Sequence, residues 1–253
     1  GGLDVNNGDT VSLAFTSSTD VTTAPTCAFT DGADASMDAG TSTASGNAAG
    51  WTCTVAVGDS DASGSLGYTI AFGDANGNAG TDVISGTGSV TIDNTHPELA
   101  AVAIATSGTG NANDGDTVTL TFTSSSDVTT APTCDFHDGL EADMDAGIST
   151  ASGNAAGWTC TVAVGDSDGD GAMGYSISFS DSNGNAGADV TSWGFPVTGS
   201  VTIDNTHPSL SSVAATDGAY GVGETLSITV TYSEAVTVSG TPTLTLDNGD
   251  TAS

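Results

Sequence analysis

The chain of 253 residues contains no lysine and no arginine, although it carries 31 aspartate and glutamate residues and a formal net charge of −31. A typical soluble domain is about 25% charged, with both signs present, whereas here 12% of the residues are charged and all of them are acidic. Such a surface repels nucleic acids and anionic lipids, which excludes both as partners. It attracts cations, because two carboxylates about 4 Å apart repel each other by roughly 4 kcal/mol at an effective dielectric constant near 20.

The sequence also lacks the features of membrane proteins and of enzymes. No run of about 18 apolar residues is present, so no membrane span is expected, and the first residues do not form a signal peptide. A secreted form would therefore take its targeting segment from outside this chain. His96 and His207 each precede a proline and His137 stands alone, so no general base has a recognisable nucleophile or orienting partner. The sequence predicts that the protein is not an enzyme.

The chain repeats itself with a period of about 107 residues. STASGNAAGWTCTVAVGDSD occurs at 42–61 and again, unchanged, at 149–168. GSVTIDNTHP occurs at 88–97 and at 199–208, and the longer offset fits an insertion at Trp193–Pro196. Such repeats predict tandem domains, which we place at 1–96, 97–207 and 208–253. The first lacks a counterpart of 97–107 and the third covers less than half a repeat, which indicates either a longer array or a subunit that borrows strands from its neighbours.

The apolar residues alternate with a period of two. TVTLTFT, at 117–123, puts Val118, Leu120 and Phe122 on one face and threonine on the other, and TCTVAV and YSISF follow the same pattern at 159–164 and 175–179. No segment carries a helical stripe, and clusters of Gly, Asp, Asn and Ser separate the runs. About seven short strands per repeat predict an all-β chain of tandem immunoglobulin-like β-sandwich domains.

The four cysteines form two pairs with equal spacing, Cys27 with Cys53 and Cys134 with Cys160. Strand parity points their thiols inward, and the third repeat has Leu244 where the second has Cys134, as expected of a core position. We expect each pair to form a disulfide between opposite sheets, worth roughly 3 kcal/mol for a closed loop of this length. Such bonds imply an oxidising compartment and hence export. The alternative is a pair of buried free thiols.

At these motifs the chain resembles a known family. GWTCTV, GDSD, DANGNAG or DSNGNAG, and VTIDNTHP are similar to motifs in the bacterial Ig-like repeats of giant secreted adhesins, and 220–249 resembles another variety of the same class. The resemblance implies tandem arrays on a bacterial surface, often with calcium at the domain junctions. The cysteine pairs and the missing Lys and Arg depart from the usual pattern of these repeats.

Calcium binds six to eight oxygen ligands, mostly from carboxylates and carbonyls. The loop D-x-N-G-N offers such oxygens from one tight turn in each repeat, the linker IDNTHP adds an acid, and the second strand of the following domain opens with another. The predicted calcium ligands are Asp74, Asn76, Asn78, Asp93, Asp116, Asp181, Asn183, Asn185, Asp204 and Glu224. We expect loop, linker and next-domain acid to converge at each joint. The alternative is an ordinary Asn/Gly turn whose side chains bond their own backbone.

These features favour a structural segment of an extracellular bacterial surface fibre, an adhesin stalk or a filament. Its partners would be neighbouring repeats of the same chain or identical subunits arranged head-to-tail, and a surface glycan or cell target is a further option. The alternative function is a glycan- or ligand-binding Ig-like module, suggested by the apolar insertion Trp193–Pro196, which the second repeat alone carries. A loop that packs on an adjacent domain or chain explains the same insertion.

Overall fold

The computed structural model describes residues 3–192, 198–247 and 251–252, and within them the regular structure consists of β-strands with no helix. Accordingly, none of the described residues lies in a helix that could cross a membrane. The chain divides into two compact units, residues 1–204 and 205–253. The first unit contains two separate apolar cores, one built from residues between Val5 and Ile92 and the other from residues between Leu99 and Ile203.

The first sandwich consists of nine strands: β1 (Leu3–Val5), β2 (Thr10–Phe15), β3 (Thr26–Thr30), β4 (Ser36–Thr43), β5 (Ser45–Asn47), β6 (Gly50–Ala56), β7 (Gly64–Ser65), β8 (Gly67–Ala71) and β9 (Val90–Ile92). They form three small sheets with the orders β2-β6-β5, β4-β3-β8 and β1-β9-β7. Strand β1 runs parallel to β9, and the other pairs are antiparallel.

The second sandwich consists of ten strands: β10 (Leu99–Thr106), β11 (Thr117–Ser124), β12 (Thr133–His137), β13 (Asp143–Thr150), β14 (Ser152–Asn154), β15 (Gly157–Ala163), β16 (Gly171–Ala172), β17 (Gly174–Ser178), β18 (Val190–Thr191) and β19 (Thr202–Ile203). One sheet has the order β10-β11-β15-β14, the other has the order β13-β12-β17-β18, and β16 pairs with β19. Two four-stranded, mostly antiparallel sheets around one core form an Ig-like sandwich, which confirms the predicted fold class.

The residues that alternate between apolar and polar in the sequence also alternate between buried and exposed in the strands. In β11, Val118, Leu120 and Phe122 are buried, while the threonines between them are exposed or half-buried. The two disulfides form as expected: Cys27–Cys53 joins β3 to β6 and Cys134–Cys160 joins β12 to β15. In each case the two strands belong to different sheets, so the bond fastens one face of the core to the other.

The two sandwiches differ at one edge. In the second, β10 pairs with β11, and its residues Leu99, Val102 and Ile104 are buried. In the first, β2 occupies the position of β11, and within the described residues β2 has a strand partner, β6, on one side. The backbone of β2 on its other side is therefore an open strand edge.

The second unit is described by β20 (Leu210–Ala215), β21 (Ile228–Tyr232), β22 (Leu244–Thr245) and β23 (Thr251–Ala252). Strands β20 and β21 pair antiparallel, as do β22 and β23. Large apolar side chains on the first pair are exposed: Leu210 is 59% exposed and Val213 is 49% exposed. The β20–β21 pair therefore presents apolar surface that the described part of this unit leaves uncovered.

Candidate functional site at the joint between the two sandwiches

The loop Asp181–Gly187 of the second sandwich holds its own shape through one carboxylate. Oδ1 of Asp181 accepts hydrogen bonds from the backbone N–H groups of Asn183 and Asn185, both at 2.9 Å, and Oδ2 accepts one from Nδ2 of Asn185 at 2.8 Å. Asp181 and Asn185 are buried. Gly184 has φ +96° and lies against Asn6, so a side chain at this position would be strained and crowded.

This loop meets the linker between the two sandwiches. Nδ2 of Asn183 donates to Oδ2 of Asp93 at 2.6 Å, and Nδ2 of Asn185 donates to the carbonyl of Asp93 at 2.7 Å. The carbonyl of Asn183 in turn accepts a bond from Nδ2 of Asn6, in the first sandwich, at 2.7 Å. The predicted ligands Asp93, Asp181, Asn183 and Asn185 are thus brought together at one joint.

His96 adds a fourth contact across the joint. Its Nδ1 lies 2.8 Å from the carbonyl oxygen of Ala186, and because a carbonyl can only accept, Nδ1 carries the hydrogen. Neither His96 nor Asn6 was predicted from the sequence. The signal that could have found them is positional: His96 follows Asp93 within the repeated motif DNTH, and Asn6 matches Asn113 of the second repeat.

The expected grouping of Asp74 with Asp93 and Asp116 is wrong. Gly64 pairs with Ile92, next to Asp93, and the chain then runs through β8 before it reaches Asp74. At about 3.3 Å per residue this places Asp74 roughly 20 Å away, at the opposite end of the first sandwich. The linker therefore meets the loop of the sandwich that follows it rather than the loop of the sandwich that precedes it.

Asp116 lies at the far end of the second sandwich from this joint. It precedes the first residue of β11, whereas Ser124, at the other end of β11, pairs with Leu99 beside the linker. Oδ2 of Asp116 accepts a hydrogen bond from the backbone N–H of Asn113 at 3.1 Å. In the same way, the carboxylate of Asp9 accepts a bond from the backbone N–H of Asn6, and that of Glu224 accepts one from Gly221. The acid that opens each second strand thus closes the turn before it.

Asp204, the counterpart of Asp93, lies at the same far end as Asp116. Its Oδ2 is 3.4 Å from Nδ2 of Asn111, and its backbone N–H donates to the carbonyl of Ala112. The expectation that Asp181, Asn183 and Asn185 converge with Asp204 is therefore also wrong, since they occupy opposite ends of one sandwich.

The first repeat contains an exposed copy of the joint loop. Oδ1 of Asp74 accepts bonds from the backbone N–H groups of Asn76 and Asn78, and Oδ2 accepts one from Nδ2 of Asn78. The bond from the Asn78 side chain, followed by those from the backbone, lowers the pKa of Asp74 below its usual value. The two loops thus share the same internal hydrogen bonds, but only the loop of the second sandwich contacts the linker in the described residues.

Buried acceptor atoms without donors test whether the joint suits a cation. Oδ1 of Asn94, directly after Asp93, is buried and has no hydrogen-bond partner among the described residues, and the same holds for Oδ1 of Asp127. The carbonyl of Asp127 accepts a bond from the backbone of Ser182 in the loop. The carboxylates of Asp93 and Asp181, with the oxygens of Asn94 and Asp127 that the described residues leave unpartnered, are the oxygen ligand types that calcium binds. Within the described part of the chain, the joint does not bring three carboxylate or histidine ligands within 4.8 Å.

The comparisons with known proteins give structural likenesses only. No family model matches the chain, and no curated protein matches it. Among solved structures, a chimeric titin Z1Z2 carrying an exogenous peptide from decorin is 15% identical, with a TM-score of 0.27, over 80% of this chain and 92% of that one. The titin domains Z1Z2 in complex with telethonin give 14% identity and a TM-score of 0.23, over 80% and 90% of the two chains. A protein described as membrane-anchored, from Corynebacterium diphtheriae, is 12% identical with a TM-score of 0.26, over 80% of this chain and 51% of that one. The fold assignment rests on the strand order of this chain.

The insertion that suggested ligand binding, Trp193–Pro196, lies outside the described residues.

Proposed function

We propose that this chain is a structural segment of an extracellular bacterial surface fibre, an adhesin stalk or a filament. An Ig-like fold with two disulfides suits a structural extracellular module. The observation that carries the proposal is the joint, where side chains of the linker and of both sandwiches exchange four hydrogen bonds. A flexible tether between independent domains needs no such contacts, whereas a segment that transmits length and stiffness does.

Calcium would reinforce this joint. Asp93 and Asp181 would supply carboxylates, while Asn183, Asn185 and Asn94 would supply amide oxygens. In Asn183 and Asn185 the amide Nδ2 now donates to Asp93, and a half-turn of each amide would exchange that hydrogen bond for coordination through Oδ1. Oδ1 of Asn94 already lacks a hydrogen-bond partner among the residues that the structure describes. The ion supplies positive charge that the chain, having no Lys or Arg, cannot supply itself. Extracellular calcium modules bind at about 10⁻⁴–10⁻³ M, and calcium at about 100 times the dissociation constant would add roughly 2.7 kcal/mol.

Small-angle scattering of the full chain, in millimolar calcium and then in chelator, tests this proposal. We expect the maximum dimension to be better defined in calcium and the chelator to broaden the distance distribution. Asp93→Asn should remove most of the calcium response, whereas Asp204→Asn, the same substitution at the matching position of the second repeat, should keep it. Identical profiles with and without calcium would refute the calcium-stiffened joint.

The open edge of the first sandwich supports a further part of the proposal, that identical subunits are the partners of this chain. At the end of β2 lies a groove of 240 Å³ whose lining includes the apolar side chains of Phe15, Ile70, Phe72 and Val83. Val83 is 41% exposed, whereas its counterpart Val190 is 6% exposed. In the second sandwich the matching positions share one core with Leu99, Val102 and Ile104 of β10. The groove thus fits a strand of a like repeat, bound by addition to the sheet edge.

The chain contains a second segment with the required pattern. DNTHPELAAVAI, at 93–104, leads into β10, and DNTHPSLSSVAA, at 204–215, leads into β20. Both strands have a register shift after their first residues. In a head-to-tail assembly, 204–215 of one copy would give up its pairing with β21, dock DNTH on the exposed Asp74 loop of the next copy and insert its strand beside β2. We take this segment of a second copy as the occupant.

A synthetic peptide of residues 93–107, added to the full chain, tests the groove. We expect it to raise the unfolding temperature and to shift the amide resonances of β2, while a scrambled peptide does neither. Size-exclusion chromatography then tests whether the strand that fills the groove comes from a second copy of the chain. Concentration-dependent oligomers that are lost in Leu210→Asp support the second copy. If the peptide binds but the chain stays monomeric, the groove is filled by another repeat of a longer polypeptide.

A further inference from the structure

Three potential metal ligands lie together on the outer face of the second sandwich, away from the joint. Cys134 and Phe136 of β12 are buried, so the alternating residues Asp135 and His137 face outward. His137 pairs across the sheet with Asp143, the first residue of β13. Ligand atoms from Asp135, His137 and Asp143 all lie within 4.8 Å of one another.

Two atoms of this cluster lack hydrogen-bond partners. Oδ1 of Asp135 and Nδ1 of His137 are buried and have no partner among the described residues. Nδ1 is 3.2 Å from Oδ1 of Asp143, close enough for an ion pair with a protonated ring but not aligned as a hydrogen bond. Buried polar atoms without partners are costly and uncommon in folded proteins, and a bound cation would satisfy both atoms.

The first repeat is an internal control for this cluster. Its corresponding residues are Ala28, Thr30 and Ser36, none of which has a carboxylate or an imidazole. The flanking residues agree closely: the cysteine, the phenylalanine, the next aspartate and the MDAG segment occur in both repeats. Three positions that are neighbours in the sheet thus differ together, and each difference adds a metal-ligating group.

One imidazole and two carboxylates are ligands of zinc, which binds histidine nitrogen and carboxylate oxygen at about 2.0–2.2 Å. In a tetrahedral site such bonds place neighbouring donor atoms about 3.3–3.5 Å apart, close to the 3.2 Å observed between His137 and Asp143. Calcium prefers an all-oxygen set, so the imidazole of His137 distinguishes this ligand set from the oxygen ligands proposed at the joint. The side chain of Asp143 is 80% exposed, so an ion can reach the cluster from solvent.

We propose that Asp135, His137 and Asp143 form a zinc site that links β12 to β13 and leaves one coordination position for water or an external ligand.

Zinc titration of the full chain by calorimetry, in millimolar calcium to occupy oxygen-rich sites, tests this proposal. We expect one zinc equivalent, bound at least about tenfold more weakly by His137→Thr, since each ligand contributes directly to affinity. This substitution introduces the residue of the first repeat, so the fold should tolerate it. Equal zinc affinity in the variant and the parent chain would overturn the proposal.

Imidazole nitrogen resonances identify the ligand directly. The chain has three histidines, and we expect zinc to shift the nitrogen signals of His137 and to leave those of His96 and His207 unchanged. A shift confined to His96 or His207 would assign the zinc to the linkers and overturn the proposal. A gain-of-function variant, Ala28→Asp with Thr30→His and Ser36→Asp, should bind a second equivalent. If it unfolds at the temperature of the parent chain but binds no second zinc, these three side chains do not suffice.

Discussion

In the calcium-free chain, replacing Asn183 by alanine should loosen the joint between the two sandwiches. The substitution removes the 2.6 Å hydrogen bond from Nδ2 to the carboxylate of Asp93, and leaves the bonds made by Asn185 and His96. A hydrogen bond to a charged group contributes about 1.5–3 kcal/mol, and the lower end applies because this one is part-buried. A loss of about 1.4 kcal/mol raises the population of an open joint roughly tenfold.

Nuclear magnetic relaxation of backbone amides measures this opening. While the joint is closed, residues 5–92 and 99–192 should tumble with one correlation time. In Asn183→Ala the two sandwiches should tumble more independently, so both correlation times should fall. The matched control is Asn76→Ala, the same substitution in the exposed loop of the first repeat, which removes no bond to the linker. If the two variants behave alike, or if neither changes the tumbling, the hydrogen bonds to Asp93 do not hold the sandwiches together.

Three further predictions concern the stability of the second sandwich. Replacing Cys134 and Cys160 together by alanine should lower the free energy of unfolding by about 3 kcal/mol in chemical denaturation, because the bond closes a loop with a sequence separation of 26; no loss would contradict a stabilising staple. Burial alone would raise the pKa of Asp138, but hydrogen bonds from the backbone of Gly169, Ala142 and Leu140 hold it below its usual value. The stability contributed by Asp138 is therefore complete above about pH 4 and is lost as the pH falls through the lowered pKa. Asp138→Asn should be less stable than the parent at pH 7, and its free energy of unfolding should fall less on acidification. Parallel pH profiles of the two proteins would contradict this. Trp158→Phe should cost about 1 kcal/mol in thermal unfolding, because the indole N–H no longer donates to Ser124; an unchanged melting temperature would show that the bond adds nothing.

Alternation of apolar residues was sufficient to predict the strands and the disulfides, because both depend on parity within a strand. Val118, Leu120 and Phe122 share a face in any sandwich, and so do Cys160 and Val162. The joint depends on something else, the end of the sandwich at which each loop emerges. Strand β17 runs antiparallel to β12, so the loop after β17 emerges at the end where β12 starts, next to Asp127 and the start of β10.

The placement of Asp116 illustrates the same limit. Its position before the second strand was read correctly, but that strand starts at the end remote from the linker. The cluster of Asp135, His137 and Asp143 was missed because Asp143 comes from a different strand from the other two. Its pairing with His137 depends on the irregular register between Asp135 and His137, which no sequence pattern specifies.

The absence of lysine and arginine explains how the carboxylates of this chain are satisfied. In the described residues the ion pairs involve His96 and His137, and the buried aspartates take hydrogen bonds from backbone N–H groups instead: Asp31 and Asp138 each accept three. Such bonds orient each carboxylate, but they leave the net charge of −31 uncompensated. Joining two such sandwiches brings negative surfaces together, so the joint has to use asparagine donors, a histidine or a bound cation. Asn183 and Asn185 provide the asparagine donors, which bond to Asp93 between the sandwiches. The same side chains offer oxygen atoms to which a cation could bind.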